Sequence, residues 1–213
     1  MHSVGTAQLD LSNHIVYGSV LFNYVYNSNQ LSNINLPIEA VVNLYNCDLA
    51  LCKYDDYLVN QTRNHITLFH TMFRSRYEKL SVPLIETYHS VFCANDEKYN
   101  INDPHVKEEK KESLTEELKL YNSKRPVIGA HGGDLTPLER VVALHNQLIY
   151  MEPFEYFNDI IARIILFKEL LANNLPLFII KAEDIELYNK LVGTESYSEL
   201  PQIVENGQTI AVV

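Results

Sequence analysis

Apolar residues recur along most of this chain at the three-to-four-residue spacing of helices that bury one face. From Ser12 to Tyr26 the positions Ile15, Val16, Val20, Phe22, Val25 and Tyr26 predict a half-buried helix. Pro37 opens a second, through Leu51, at a first-turn position where its missing N–H costs nothing. A third runs from about Asp55 to Phe73 with Leu58, Ile66, Phe69 and Phe73 inward, and Pro83 starts a fourth through Phe92. Asp96 to Val106 is polar and reads as a loop or a short hairpin. Lys107 to Tyr121 is a charged amphipathic helix with four Lys against five Glu, a solvated face laced by i,i+4 pairs.

Ser123 to Asp134, with Pro126, Gly129, Gly132 and Gly133, is a linker too short to separate two domains. Thr136, Pro137 and Glu139 then form a helix start: an N-cap, a proline at the first position, and an acid three residues after the cap. That helix carries Leu138, Val141, Val142, His145, Leu148 and Ile149 on one face until Pro153 breaks it. Asn158 to Ala172 is apolar almost all round, the mark of a helix at the centre of a core. Leu175 to Ile180 is short and apolar, Ala182 to Val192 is helical again, and Tyr197 to Val213 has little pattern. The pattern predicts at least seven helices, no sheet, and one small hairpin near Asn95–Pro104: an all-α protein.

Composition narrows the function classes. The chain has 213 residues with 17 Lys plus Arg against 27 Asp plus Glu, so 17 − 27 = −10. That balance argues against nucleic acid or an anionic membrane as the main partner, because phosphate is bound by basic patches. Cys47, Cys52 and Cys93 are too sparse for a disulfide framework and point to a reducing, cytoplasmic compartment, with Cys47 and Cys52 read as core thiols. No apolar run approaches the ~20 residues of a membrane span, and the amino terminus has no signal-peptide pattern. His65, His70 and His89 are the candidates for a metal site, but 65 and 70 are five apart and do not share a helix face, so they read as satisfied or exposed histidines.

One segment carries more specific information: Leu144-His145, then Met151-Glu152-Pro153-Phe154-Glu155-Tyr156-Phe157-Asn158-Asp159-Ile160-Ile161-Ala162-Arg163. It resembles the Fic (Fido) family motif His-Pro-Phe-x-Asp/Glu-Gly-Asn-Gly-Arg-x-x-Arg between two helices. Other stretches resemble the family in the same order: Asn23 to Asn33, Pro83 to His89, Pro137 to His145, and Leu175 to Asp184. Five islands over roughly residues 20–192 imply a Fic-like helical domain. It takes in 1–213, with its core at about 12–192, a C-terminal extension at 193–213, and a target-holding hairpin flap at Asn95–Pro104.

The resemblance implies AMP transfer from ATP, with Mg²⁺, onto a hydroxyl side chain of another protein. The family chemistry needs a base, an acidic metal ligand, a glycine-flanked turn offering backbone N–H groups to phosphates at a helix N-terminus, and arginine. In this chain the base position holds Glu152, the metal-ligand position Tyr156, the turn Phe157-Asn158-Asp159, and the first arginine position Ile160. Pro153, Phe154, Asn158 and Arg163 remain. Glu152, Glu155 and Asp159 would sit near the phosphates, each repelling one by roughly 4 kcal/mol at ~4 Å and an effective dielectric of 20, before solvent screening. The expectation is weak or absent ATP binding. The family's inhibitory Ser/Thr-x-x-x-Glu-Gly/Asn motif is matched by Ser28 to Asn33, with Ser32 in the Glu position.

Glu152 is therefore the catalytic candidate, with Phe154, Asn158 and Arg163 on the donor and Ser28, Ser32 and Asn33 as regulatory positions. A glutamate is poorly matched to base work near pH 7, and Glu152 can instead favour the dipole of the following helix. Asn158 can be an N-cap, Arg163 can pair with Glu152 or Glu155, and His145 reads as structural. The first expectation is a divergent Fic protein, impaired in AMP transfer, that binds or regulates a protein partner. The second is an active transferase with Glu152 as base and a phosphate-containing donor other than Mg-ATP. The third is a toxin–antitoxin or effector component acting by binding alone.

Overall fold

The computed structural model describes residues 10–46, 53–94, 105–126 and 133–192. Within them lie eight α-helices: α1 His14–Leu31, α2 Ile38–Tyr45, α3 Asp56–Arg74, α4 Val82–Phe92, α5 Glu108–Asn122, α6 Pro137–Met151, α7 Asn158–Ala172 and α8 Ile185–Leu191. A single 3₁₀ turn, Ala182–Asp184, precedes α8. No β-strand occurs among the described residues, and the fold is all-α. The hairpin expected at Asn95–Pro104, the cysteines Cys47 and Cys52, and the extension 193–213 lie outside the described residues.

Helix α7 is the axis of the molecule. Every residue from Ile160 to Leu170 is buried. Its broadest interface is with α6, and α3 and α4 cover other sides. The main core joins Leu144, Leu148, Ile161, Ile164 and Ile165 of this pair to Leu21, Val25, Phe69, Ile85 and Phe92 of α1, α3 and α4. A second cluster sets Val141, Val142, Leu166 and Leu170 against Phe178, which anchors the extended Leu175–Ile180 segment.

The helix ends follow local chemistry. Asn13 and Asp55 cap α1 and α3 through their side chains. Thr136 and Glu139 form the reciprocal box that starts α6: the Glu139 carboxylate accepts the Thr136 N–H at 2.7 Å, and Thr136 Oγ1 accepts the Glu139 N–H at 3.3 Å. Pro37 caps α2 rather than occupying its first helical position. Helix α1 continues past Tyr26 to Leu31. The polar run Asn27-Ser28-Asn29-Gln30 looks like a helix end in sequence, yet Ser28 and Asn29 are buried. Asn29 Nδ2 donates to Thr62 Oγ1 at 2.9 Å, and its Oδ1 meets His65 Nδ1 at 2.7 Å. These bonds satisfy the polar groups that burial would otherwise penalise.

Candidate functional site

The loop 152–157 joins α6 to α7, and its ends are set by two left-handed residues, Glu152 (φ 47°) and Phe157 (φ 61°). Both are L-residues in a region that usually costs energy, so the surroundings must hold the loop. Phe154 is buried and its ring stacks on the His89 imidazole, centroids 3.9 Å apart and planes parallel within 1°. His89 Nε2 donates to the Tyr156 carbonyl at 3.2 Å, and the Lys107 N–H donates to the Pro153 carbonyl at 2.9 Å. Asn158 closes the loop from inside: its Oδ1 accepts the Phe154 N–H and its Nδ2 donates to the Phe154 carbonyl, both at 2.8 Å. Asn158 is thus the first helical residue and a loop clamp. Phe157 is the N-cap, and it offers no side-chain cap bond.

Glu152 is exposed at the C-cap of α6. It lies at the end of the preceding helix rather than in the first turn of α7, and its carboxylate makes no hydrogen bond or ion pair with a described residue. Glu155 reaches Lys107 at 3.8 Å on the surface. Tyr156 is partly exposed and brings no carboxylate to the position expected to hold a metal.

Arg163 does not pair with Glu152 or Glu155. Its side chain is 3% exposed and points to the end of α1. Nε donates to Ser28 Oγ at 2.9 Å, and Nη2 reaches the Ser28 carbonyl at 3.2 Å, Ser32 Oγ at 2.5 Å and Asp159 Oδ2 at 3.0 Å. Ser32 Oγ in turn donates to Asp159 Oδ2 at 2.5 Å. Ser28, Ser32, Asp159 and Arg163 therefore form one closed unit across the α1–α7 interface. Asn33 follows with φ 60° and takes no part in it.

The electrostatics agree with that closure. Burial would raise the Asp159 carboxyl, but the Arg163 charge and the Ser32 and Arg163 hydrogen bonds hold it below the usual carboxylate range. Burial would lower the Arg163 guanidinium, and Asp159 together with the Tyr188 and Tyr24 hydroxyls holds it above its usual value. Behind Arg163 lie two histidines with no access to solvent. Burial pushes His145 down to about 4, despite its bond to Asn146, and pushes His65 down to about 3 with the Arg163 charge adding to it. His145 Nε2 meets the Tyr188 hydroxyl of α8 at 3.2 Å, which ties α6 to α8 inside the core.

These residues do not fit Mg-ATP. Asp159 puts a carboxylate into the first turn of α7, where a helix dipole would attract a phosphate. Phe157 and Asp159 carry side chains where backbone N–H groups would need a close approach, and the one retained arginine is buried and bonded. Among the described residues no group of three or more His, Cys, Asp or Glu could hold a metal ion. Two partners were missed by sequence reasoning. His89 stood out in sequence only as part of the Pro83 to His89 stretch, with nothing that pointed to a platform under Phe154, whereas Asp159 and Arg163, four apart on one helix, had the spacing of an ion pair.

Helix α7 at the centre, with the loop 152–157 leading into it and the end of α1 across its first turns, defines an all-α protein with the Fic fold. Three solved structures share it. A Fic domain containing signaling protein from Bacteroides thetaiotaomicron matches with a TM-score of 0.71 at 19% identity, over 88% of this chain and 80% of that one. A fragment of Fic-1 from C. elegans matches with 0.70 at 16% identity, over 96% and 61%, and a Fic family protein from Desulfovibrio desulfuricans with 0.69 at 11%, over 93% and 62%. The chain thus spans four fifths of the first and about three fifths of the other two. No family model and no curated protein matches the sequence. At these identities the likeness establishes the fold.

Proposed function

We propose that this protein is a divergent Fic protein, impaired in AMP transfer, that acts by binding or regulating a protein partner. The observation that carries the reading is the engagement of Arg163: the remaining arginine of the motif is buried and bonded to Ser28, Ser32 and Asp159. With its side chain 3% exposed and its Nε and Nη2 groups bonded, the guanidinium is not presented to solvent. Tyr156 in place of a metal-binding carboxylate and an exposed glutamate in place of the base support the same conclusion. A protein partner suits a chain of net charge −10 better than nucleic acid or an anionic membrane. No helix among the described residues is long and apolar enough to cross a membrane.

The test is a calorimetric titration of the full chain with ATP, with and without Mg²⁺. The expected result is no saturable heat. Micromolar binding that Arg163→Ala weakens, together with label transfer that Glu152→Gln abolishes, would overturn the proposal in favour of an active transferase with Glu152 as base.

A further inference from the structure

A second concave site lies at the far end of the α6–α7 pair. Ten residues separate Asp159 from Glu169 on α7, about 15 Å at 1.5 Å per residue. There the α3–α4 loop, the end of α5, the start of α6 and the end of α7 border an open cleft of about 500 Å³. That volume is in the range of small-molecule sites.

At its floor is a buried ion pair that is complete in itself. Lys168 Nζ donates to Glu169 Oε1 and to the Glu78 carbonyl, both at 2.7 Å. Glu169 Oε2 accepts the Tyr121 hydroxyl at 2.7 Å and Asn173 Nδ2 at 3.3 Å. Tyr121 is held well above its usual pKa by burial and by the neighbouring Glu169 charge, so its hydroxyl stays a donor. The Glu169 charge is thereby spent inside the protein.

The cations above it are not matched in this way. Lys79, Lys124 and Arg140 line the cleft, and none makes an ion pair with a described residue. Arg140 is half-buried. Nη1 donates to the Arg125 carbonyl at 2.8 Å and Nη2 to the Tyr121 carbonyl at 3.1 Å, which fixes the guanidinium against the end of α5 without neutralising it. Two of its five N–H groups are used in these bonds. Glu78 is the one lining carboxylate with no cation on it, so three cations face one acid in a chain that is otherwise acidic. Leu80, Leu135 and Pro137, with the rings of Tyr77 and Tyr121, supply apolar wall.

We infer that this cleft binds a small ligand carrying a phosphate or carboxylate on an apolar or aromatic body. Arg140 anchors the anion, and its rigid fork suits a planar or bidentate partner. Lys79 and Lys124 add charge at the rim, and the tyrosine and leucine wall takes the body. The site is independent of the loop 152–157 and of any Fic chemistry there.

The test titrates the full chain, followed by ¹H–¹⁵N spectra, with phenyl phosphate, benzoate and benzyl alcohol as probes. Saturable shifts at the cleft residues are expected with at least one anion, at a millimolar or lower Kd, and not with the alcohol. Arg140→Gln should weaken the anion about tenfold, the loss of one charge-assisted contact. Because Arg140 also ties α6 to α5, the double variant Lys79→Gln/Lys124→Gln is the second arm. Both lysines are exposed, and the pair should weaken binding several-fold without loss of fold. Failure of both anions to saturate, an equal response to benzyl alcohol, or anion binding that the double variant leaves intact would each overturn the inference.

Discussion

Asp159→Asn removes one carboxylate from the α1–α7 tie and keeps its size. It leaves the Arg163 guanidinium, 3% exposed, with two serine hydroxyls, a carbonyl and the nearby Tyr188 hydroxyl, none of them a full charge. Removing one member of a fully buried pair costs about 3–5 kcal/mol. The Asp159 side chain is 41% exposed, so water screens part of the attraction. At 3.0 Å and an effective dielectric of roughly 40, Coulomb's law gives about 332/(40 × 3.0), or about 3 kcal/mol. The new amide oxygen recovers part of that as a neutral acceptor, which leaves a loss of about 2 kcal/mol, or about 4–8 °C in Tm for a chain of this size. Urea unfolding followed by far-ultraviolet circular dichroism is the assay, since the chain has no tryptophan. The pH dependence gives an internal check. A carboxyl held below its unfolded value contributes stability that is complete above the unfolded pKa and is lost as pH falls through the folded one. The gap between wild type and variant should therefore be equal at about pH 7 and pH 5. A gap under about 0.5 kcal/mol would show that Arg163 is satisfied without Asp159, and one that shrinks over that interval would show that the Asp159 carboxyl is not held low in the fold.

His65 and His145, held at about 3 and about 4 in the fold, bind protons first in the unfolded chain. Their stabilising contribution is complete above about pH 6.5 and falls toward pH 4 by up to about 1.4 kcal/mol per pH unit each. Urea midpoints across that range should drop accordingly, His145→Gln should remove about one histidine's share of the slope, and a flat profile would contradict neutral burial. Asn158→Ala deletes both bonds to the Phe154 backbone and should cost about 2 kcal/mol, with faster amide exchange at Phe154 as the local readout; an unchanged exchange rate would mean that His89 stacking holds the loop unaided. Glu152→His should not produce ATP-dependent labelling of protein targets, because Tyr156, Phe157, Asp159 and Ile160 stay changed and Arg163 stays tied. Robust labelling by that single variant would show that the anion-site losses weigh less than the geometry indicates.

The helices were legible wherever one face carried the apolar period. Thr136-Pro137 with Glu139 marked the start of α6, and the apolar run from Asn158 marked α7 as central, because both signals are local. The end of α1 was not legible. Asn27 to Gln30 reads as polar chain, and only α3 and α7 supply the partners that let Ser28 and Asn29 be buried in a helix. The N-cap of α7 was misplaced for a related reason. Asparagine is a common cap, but here the Asn158 side chain is drawn back to Phe154 by a loop that left-handed residues fold over it.

The site shows why reading each motif position by itself falls short. From sequence, Asp159 counts as an acid near an expected phosphate, and Ser32 as the loss of a regulatory glutamate. In the structure both act on the same guanidinium: Asp159 supplies the negative charge, and Ser32 bridges carboxylate and arginine. One carboxylate thus sets the negative charge at the first turn of α7 and is also the counter-charge of the buried guanidinium. Removing it would leave Arg163 buried and short of a counter-charge, with its serine partners unchanged. Presenting Arg163 to solvent would therefore require moving the end of α1 as well as changing Asp159. The position of the guanidinium is thus set by side-chain bonds between the end of α1 and α7, not by the residues of the loop.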